Sequence, residues 1–440
     1  MGSSLNVYSY YKAVNRDLAR GQRIYFCQQQ AGCSFSTVSS NHDRVLEYPQ
    51  IGIYMGRGAS HSWLWFVDIF DRMGFYDLAF PDETGIQGHG LEDLDVIVMS
   101  GGDTFAMAEG LGATGAKKLR DFVHKGGLYI GSCAGAYLPL RSSKKHLNLF
   151  NYVNAKITNL TRILPEAKKV PEKFCTPYGC SFIFHPVREE VKLKTTQAPP
   201  FKGVGSVFAP LYGGPAMMAS ESVDVLAHYE AFTDKTIFLV DNEIASNTLI
   251  GKAAAIRSMI GSGYFYLFGP HFEHPHFPLA NKLLADVIYW GMRDATLKRQ
   301  NFVQNIETLK GEEARKSVKD IKREISNSRI VALGVEMMPL SWLIGKKIYE
   351  PAHIRVFLET MLARFKYLDK WEELRIKNGE VEKLVKYGSR TTILLRNIKK
   401  NAEKGLDTSY LAKKIFDNLK IMSAIFFDVY FRTASARFRC

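Results

Sequence analysis

The chain has 440 residues, 46% hydrophobic and 12% aromatic, enough to bury a large core and to fill two domains, which excludes a disordered or fibrous protein. No stretch approaches the roughly 20 uninterrupted apolar residues of a membrane span, and the start MGSSLNVYSYYKAVNRDLARG lacks an apolar signal core, so a soluble cytoplasmic protein is the expectation. The net charge of +14 is concentrated late: from residue 296 onward there are 30 Lys/Arg against 17 Asp/Glu, while the rest is nearly neutral.

Residues 1–48 read as an N-terminal extension, with an aromatic start and a polar STVSSNHDR loop. From Ile51 the pattern becomes regular. IGIYMG is a short apolar run closed by glycine, and SWLWFVDIFDRMG places apolar residues at helical spacing up to Gly74. DVIVMS then runs into Gly101-Gly102, AKKLRDFVHKGG reads as a helix, and LYIGS reads as a buried strand. Apolar strands alternating with amphipathic helices predict an open, mostly parallel sheet with helices on both faces, in the flavodoxin-like manner. Residues 150–230 are richer in Pro and Gly and read as strands and loops inserted at the sheet edge. The alternation is expected to resume with KTIFLVDNE, then YFYLFGP, then the helix beginning PLANKLLADVIYWG. Residues 49–295 are thus expected to form one α/β domain.

Residues 296–440 change character. Ile354, Phe357, Leu358, Met361, Phe365 and Leu368 fall on one helical stripe, and helical patterns continue to the end, predicting an all-helical, basic C-terminal domain. The Met337-Met338 and Phe426-Phe427 pairs are expected in its core. Its charge and broad apolar stripes favour a protein partner or self-association. Peripheral membrane contact stays open for the final helix, and nothing matches a nucleic-acid motif.

Six cysteines, at 27, 33, 133, 175, 180 and 440, form no disulfide or zinc framework. Cys175, Cys180 and His185 make at most half of a metal site, and His274 and His276 read more simply as site neighbours than as ligands. No metal or cofactor is expected. The strongest signal is Gly131-Ser132-Cys133-Ala134-Gly135 between a strand and a likely helix. Such a turn lifts the nucleophile above the sheet, small neighbours are needed in the crowded backbone, and the following helix N-terminus would favour the thiolate. Ser100-Gly101-Gly102-Asp103 also follows a strand, so the N–H of Gly102 can join that of Ala134 as an oxyanion hole. His271 and Glu273 stand two apart in an extended segment, side by side, which suits a base and its orienter.

These residues resemble the class I glutamine amidotransferase-like superfamily, with the closer likeness to biotin-protein-ligase N-terminal-like domains. The likeness rests on Tyr54 to Ser60, Gly131 to Tyr137, Tyr212-Gly213-Gly214-Pro215 and Gly269 to Glu273. It implies a Cys133-His271-Glu273 hydrolase acting on a small-molecule or peptide amide. It also implies that Gly58, Gly101, Asp103, Tyr137, Tyr212, Gly213 and Gly214 border the substrate. Glutamine-hydrolysing members place Gln four residues after the nucleophile, where this chain has Tyr137. SGGDTFAMAEGL followed by GSCAGA also resembles serine peptidases of the aspartyl dipeptidase and cyanophycinase group, with Cys in place of Ser. A cysteine peptidase or amidase acting on a small peptide or conjugate, and an inactive binding module on the same fold, therefore stand as alternatives.

Overall fold

The computed structural model describes residues 5–28, 33–37, 44–160, 183–292 and 306–440. The chain divides into two compact units, Met1–Phe75 with Pro81–Gln300, and Tyr76–Phe80 with Asn301–Cys440.

The first unit is built on a mixed sheet. The strands Ile51–Ile53, Val96–Met99, Leu128–Ser132 and Gly263–Phe268 lie side by side in that order and run parallel. Every residue of Ile51–Ile53, Val96–Met99 and Leu128–Ser132 is buried, as expected for strands covered on both faces. The helices Thr104–His124 and Pro278–Met292 both pack on the strands Leu128–Ser132 and Gly263–Phe268.

Beyond Gly263–Phe268 the sheet continues differently. Ala253–Ile260, Asp224–Phe232, Val187–Thr195 and Ser206–Leu211 follow in order, each antiparallel to its neighbour. The edge segment between residues 150 and 230 therefore extends the sheet as an antiparallel half. KTIFLVDNE, expected as a buried strand, contributes only Ile237–Phe238, paired antiparallel to Val187–Thr195. Ile237 is 50% exposed and Phe238 38% exposed, so this two-residue strand lies at the surface rather than in the core.

The helix Leu5–Ala19 is fastened to this unit by buried polar bonds. Asn15 donates to the Met73 carbonyl at 2.9 Å, Tyr11 bonds Asp286, and Tyr289 bonds Asn15. The short strands Tyr25–Gln28, Cys33–Ser36 and Arg44–Val45 form a separate three-stranded antiparallel sheet.

The second unit is helical, with Gly311–Glu336, Pro351–Leu362, Glu380–Ala402 and Ser409–Arg439 as its main helices. All six residues of the predicted stripe from Ile354 to Leu368 are buried, as are Phe426 and Phe427. Two antiparallel pairs, Glu307–Lys310 with Glu373–Ile376 and Trp342–Ile344 with Lys347–Tyr349, add strands to the expected helices. Met337 is 87% exposed, against the expectation of a core residue, because the helix ends at Glu336 and Met337 is its C-cap. Among the described residues, no helix is long and apolar enough to cross a membrane.

Candidate functional site

The four parallel strands end on the same edge, and the loops that leave them carry the candidate residues: Tyr54 to Ser60, Ser100 to Asp103, Cys133, and Gly269 to Glu273. That is the edge where open α/β sheets build their sites.

Cys133 follows the strand Leu128–Ser132 with φ 51° and ψ −108°, a strained conformation for a residue with a side chain. Its N–H donates to the Phe268 carbonyl at 2.9 Å, which ties the turn to the neighbouring strand. The flanking glycines are required by contact. A Cβ on Gly135 would lie 1.9 Å from the Met99 carbonyl oxygen, and one on Gly131 would lie 2.4 Å from the Gly135 carbonyl oxygen. The helix after the turn, Ala134–Tyr137, is only four residues long. The expected contribution of a helix N-terminus is correspondingly small, because a macrodipole needs aligned peptides to sum.

His271 is 2% exposed and Glu273 is fully buried. His271 Nδ1 bonds Glu273 Oε1 at 2.6 Å, and Ser132 Oγ donates to both Glu273 oxygens at 2.8 Å while lying 3.3 Å from His271 Nδ1. Burial alone would lower the His271 pKa, but the charges of Glu273 and Cys133, and hydrogen bonds to both, raise it well above its ordinary value. Among the described residues, the N–H groups of Gly102 and Ala134 meet no acceptor. Gly102 is held by an antiparallel bridge to Ala59, with Asp103 N–H to Gly58 O at 2.8 Å and Ser60 N–H to Gly101 O at 3.0 Å.

The remaining candidates divide between wall and scaffold. A Cβ on Gly101 would meet His271 Cε1 at 2.7 Å, so this glycine lies against the imidazole. Tyr212 presents its carbonyl 3.8 Å from Cys133 Sγ and its ring 5.7 Å from the His271 ring. Asp103 accepts from the N–H groups of Phe105 and Ala106 as the N-cap of Thr104–His124, which occupies its carboxylate. Gly58, at φ 85°, would place a Cβ 2.5 Å from Met107 N and so seats the first loop on that helix. Gly213 has φ 95°, and a Cβ on Gly214 would lie 1.8 Å from the Gly269 carbonyl oxygen. Tyr137 Oη donates to Gly213 O at 3.1 Å and accepts from Asn159 Nδ2 at 3.2 Å, bracing the Tyr212–Gly214 turn.

His185 is buried beside Gly213, and burial pushes its pKa down to about 4. The Cys175 and Cys180 half-site lies outside the described residues, and among those described no group of three His, Cys, Asp or Glu is placed to hold a metal.

Residues 91–146 match the family model described as biotin-protein ligase, N terminal. The match covers one part of the first unit. The matched segment holds Gly102, Cys133 and Ala134 and ends before His271 and Glu273. A comparison with curated proteins found no match. Solved structures similar to the chain include a cytoplasmic protein of Salmonella typhimurium, 13% identical with a TM-score of 0.32, covering 61% of this chain and 94% of the other. A ThuA-like protein of Bacteroides uniformis is 13% identical with a TM-score of 0.34, covering 60% and 98%. A glutamine amidotransferase of Thermotoga maritima is 9% identical with a TM-score of 0.33, covering 57% and 91%. At such values these three carry no argument about activity.

Within the first unit, several residues that sequence patterns leave unmarked support the His271 loop. Asn281 Nδ2 donates to the Phe272 carbonyl at 2.6 Å and to the His274 carbonyl at 3.1 Å, bracketing Glu273. Tyr8, from the N-terminal helix, donates to Asn281 Oδ1 at 2.6 Å. Asn281→Ala removes the donors to two carbonyls, and the expected cost is about 2 kcal/mol of stability, with slower alkylation of Cys133 as the loop loosens. Denaturant unfolding and peptide-mapped alkylation measure the two. Lost stability with an unchanged alkylation rate would mean that the brace serves the scaffold alone.

Proposed function

We propose that the chain is a cysteine-dependent amide hydrolase of the class I glutamine amidotransferase type, working through a thioester acyl-enzyme. Cys133 Sγ, its proton already passed to His271, attacks the amide carbonyl carbon. The carbonyl oxygen, now an oxyanion, is held by the N–H groups of Gly102 and Ala134. When the intermediate collapses, the C–N bond breaks and His271 returns the proton to the leaving nitrogen. A water molecule, giving its proton to the now neutral His271, then attacks the thioester, the C–S bond breaks, and the acid leaves with His271 protonated again. Glu273 holds the imidazole in one orientation and balances its positive charge, and Ser132 in turn holds Glu273.

The observation that supports this reading most is the strained Cys133 turn set against a buried imidazole bonded to Glu273 at 2.6 Å. One feature favours a peptide or conjugate amide over glutamine as the substrate. Tyr137 stands where glutamine-hydrolysing relatives carry Gln, and its hydroxyl is engaged with Gly213 and Asn159. Acid-quenching the protein after mixing with glutamine and with a panel of peptide amides, followed by mass mapping, tests the proposal. An acyl adduct on the Cys133 peptide, lost in Cys133→Ala, is the expected result. Turnover that persists in Cys133→Ala would refute it.

A further inference from the structure

We infer that the site cleaves a secondary amide whose leaving amine carries a planar, apolar substituent, seated on the rings of Trp65, Tyr212 and His274. This rests on the hydrolase reading above. In that chemistry the leaving nitrogen must come within reach of the imidazole that protonates it. Any substituent on the nitrogen therefore passes over whatever surrounds His271.

Aromatic rings surround it. Trp65 meets the His271 ring edge-to-face, with centroids 5.1 Å apart and planes at 87°. Tyr212 lies 5.7 Å from His271 and 6.0 Å from Trp65, and His274 lies 4.6 Å from Trp65. Cys133, His271 and Glu273 are buried, whereas Trp65, Tyr212 and His274 are only half-buried, so part of this aromatic surface remains open to solvent. Tyr212 joins the wall to the nucleophile, because its carbonyl lies 3.8 Å from Cys133 Sγ. Its hydroxyl donates to Glu189 at 2.8 Å, which fixes the ring. His274 carries no charge at neutral pH: burial, aided by the positive charges of His271 and His276, pushes its pKa down to about 3. The wall thus offers flat, uncharged faces, which suit stacking with a planar apolar group. Ammonia, the leaving group of a primary amide, would use none of them.

The test needs no knowledge of the acyl group. The full chain is alkylated with iodoacetamide, with iodoacetanilide and with an ammonioethyl iodoacetamide. Each rate at Cys133 is divided by the rate with glutathione to remove intrinsic reactivity. The normalised rate with iodoacetanilide is expected to exceed that with iodoacetamide by about tenfold. Trp65→Leu and Tyr212→Leu, each checked for folding by circular dichroism, are expected to bring that ratio close to unity. Equal normalised rates, a preference for the cationic reagent, or a preference that survives both substitutions would overturn the inference and leave the hydrolase reading standing. A Cys133 no faster than glutathione with every reagent would overturn the hydrolase reading, and the inference with it.

Discussion

Replacing His271 with alanine is expected to slow amide turnover by about a thousandfold or more, with Glu273→Gln costing about one to two orders of magnitude less. The difference follows from what each group does. In the proposed mechanism His271 moves the proton in both half-reactions, while its Nδ1 is bonded to Glu273 Oε1 at 2.6 Å. In that mechanism Glu273 positions the ring and balances its charge, and a glutamine amide can still accept the Nδ1–H bond while losing the charge. Ser132, at 2.8 Å from both carboxylate oxygens, would keep that side chain in place. Steady-state rates on folded variants measure the split. Equal losses in two folded variants would contradict this division of labour.

The second large effect concerns the charge on His271 itself. Burial acts to lower its pKa, and the attraction of Glu273 and Cys133 outweighs burial, carrying it from 6.5 up to about 10. The imidazolium therefore persists at neutral pH. A folded pKa above the unfolded one contributes stability that is fully present below about pH 6.5 and is lost as pH rises towards 10. Glu273→Gln removes the largest raising influence and leaves burial opposed by Cys133 alone, so the His271 pKa should fall and the alkaline loss of stability should shift to lower pH and shrink. Nitrogen-15 NMR of labelled histidine reads the protonation directly, and denaturant unfolding between pH 6 and 10 reads the stability. A His271 signal that stays protonated at pH 8 in the Glu273→Gln protein would show that the carboxylate is not the cause.

The parts of the site that sequence alone reveals are those built from local geometry. Gly131 and Gly135 announce the Cys133 turn because the clashes they avoid lie within a few residues or on the adjacent strand. The nearness of His271 and Glu273 in sequence makes the pair legible, but the extended segment expected for it is a turn, with the His274 N–H bonded to the His271 carbonyl at 3.2 Å. The parallel core is legible for a similar reason, since strands buried on both faces read as unbroken apolar runs. What sequence does not reveal depends on contacts between distant segments. Ser132 meets Glu273 across 141 positions, and Tyr8 meets Asn281 across 273. Neither residue type signals its partner. Asp103 illustrates the limit from the other direction: its place just before a helix marks it equally well as a cap or as a site residue, and its two bonds to Phe105 and Ala106 show the cap. The antiparallel half of the sheet is obscured because its strands alternate buried and half-buried residues imperfectly, as in Val187–Thr195 and Asp224–Phe232, and carry register shifts.

The measurement that bears most directly on the hydrolase proposal is a race between two free thiols. Cys133 is 8% exposed and Cys440 is exposed at the end of the last helix, so accessibility alone would have Cys440 react first. Brief treatment with iodoacetamide at neutral pH, followed by peptide mapping of all six cysteines, separates accessibility from activation. Cys133 is expected to be alkylated first, and His271→Ala to abolish its lead. Alkylation of Cys440 ahead of Cys133, together with amide hydrolysis that survives Cys133→Ala, would contradict it.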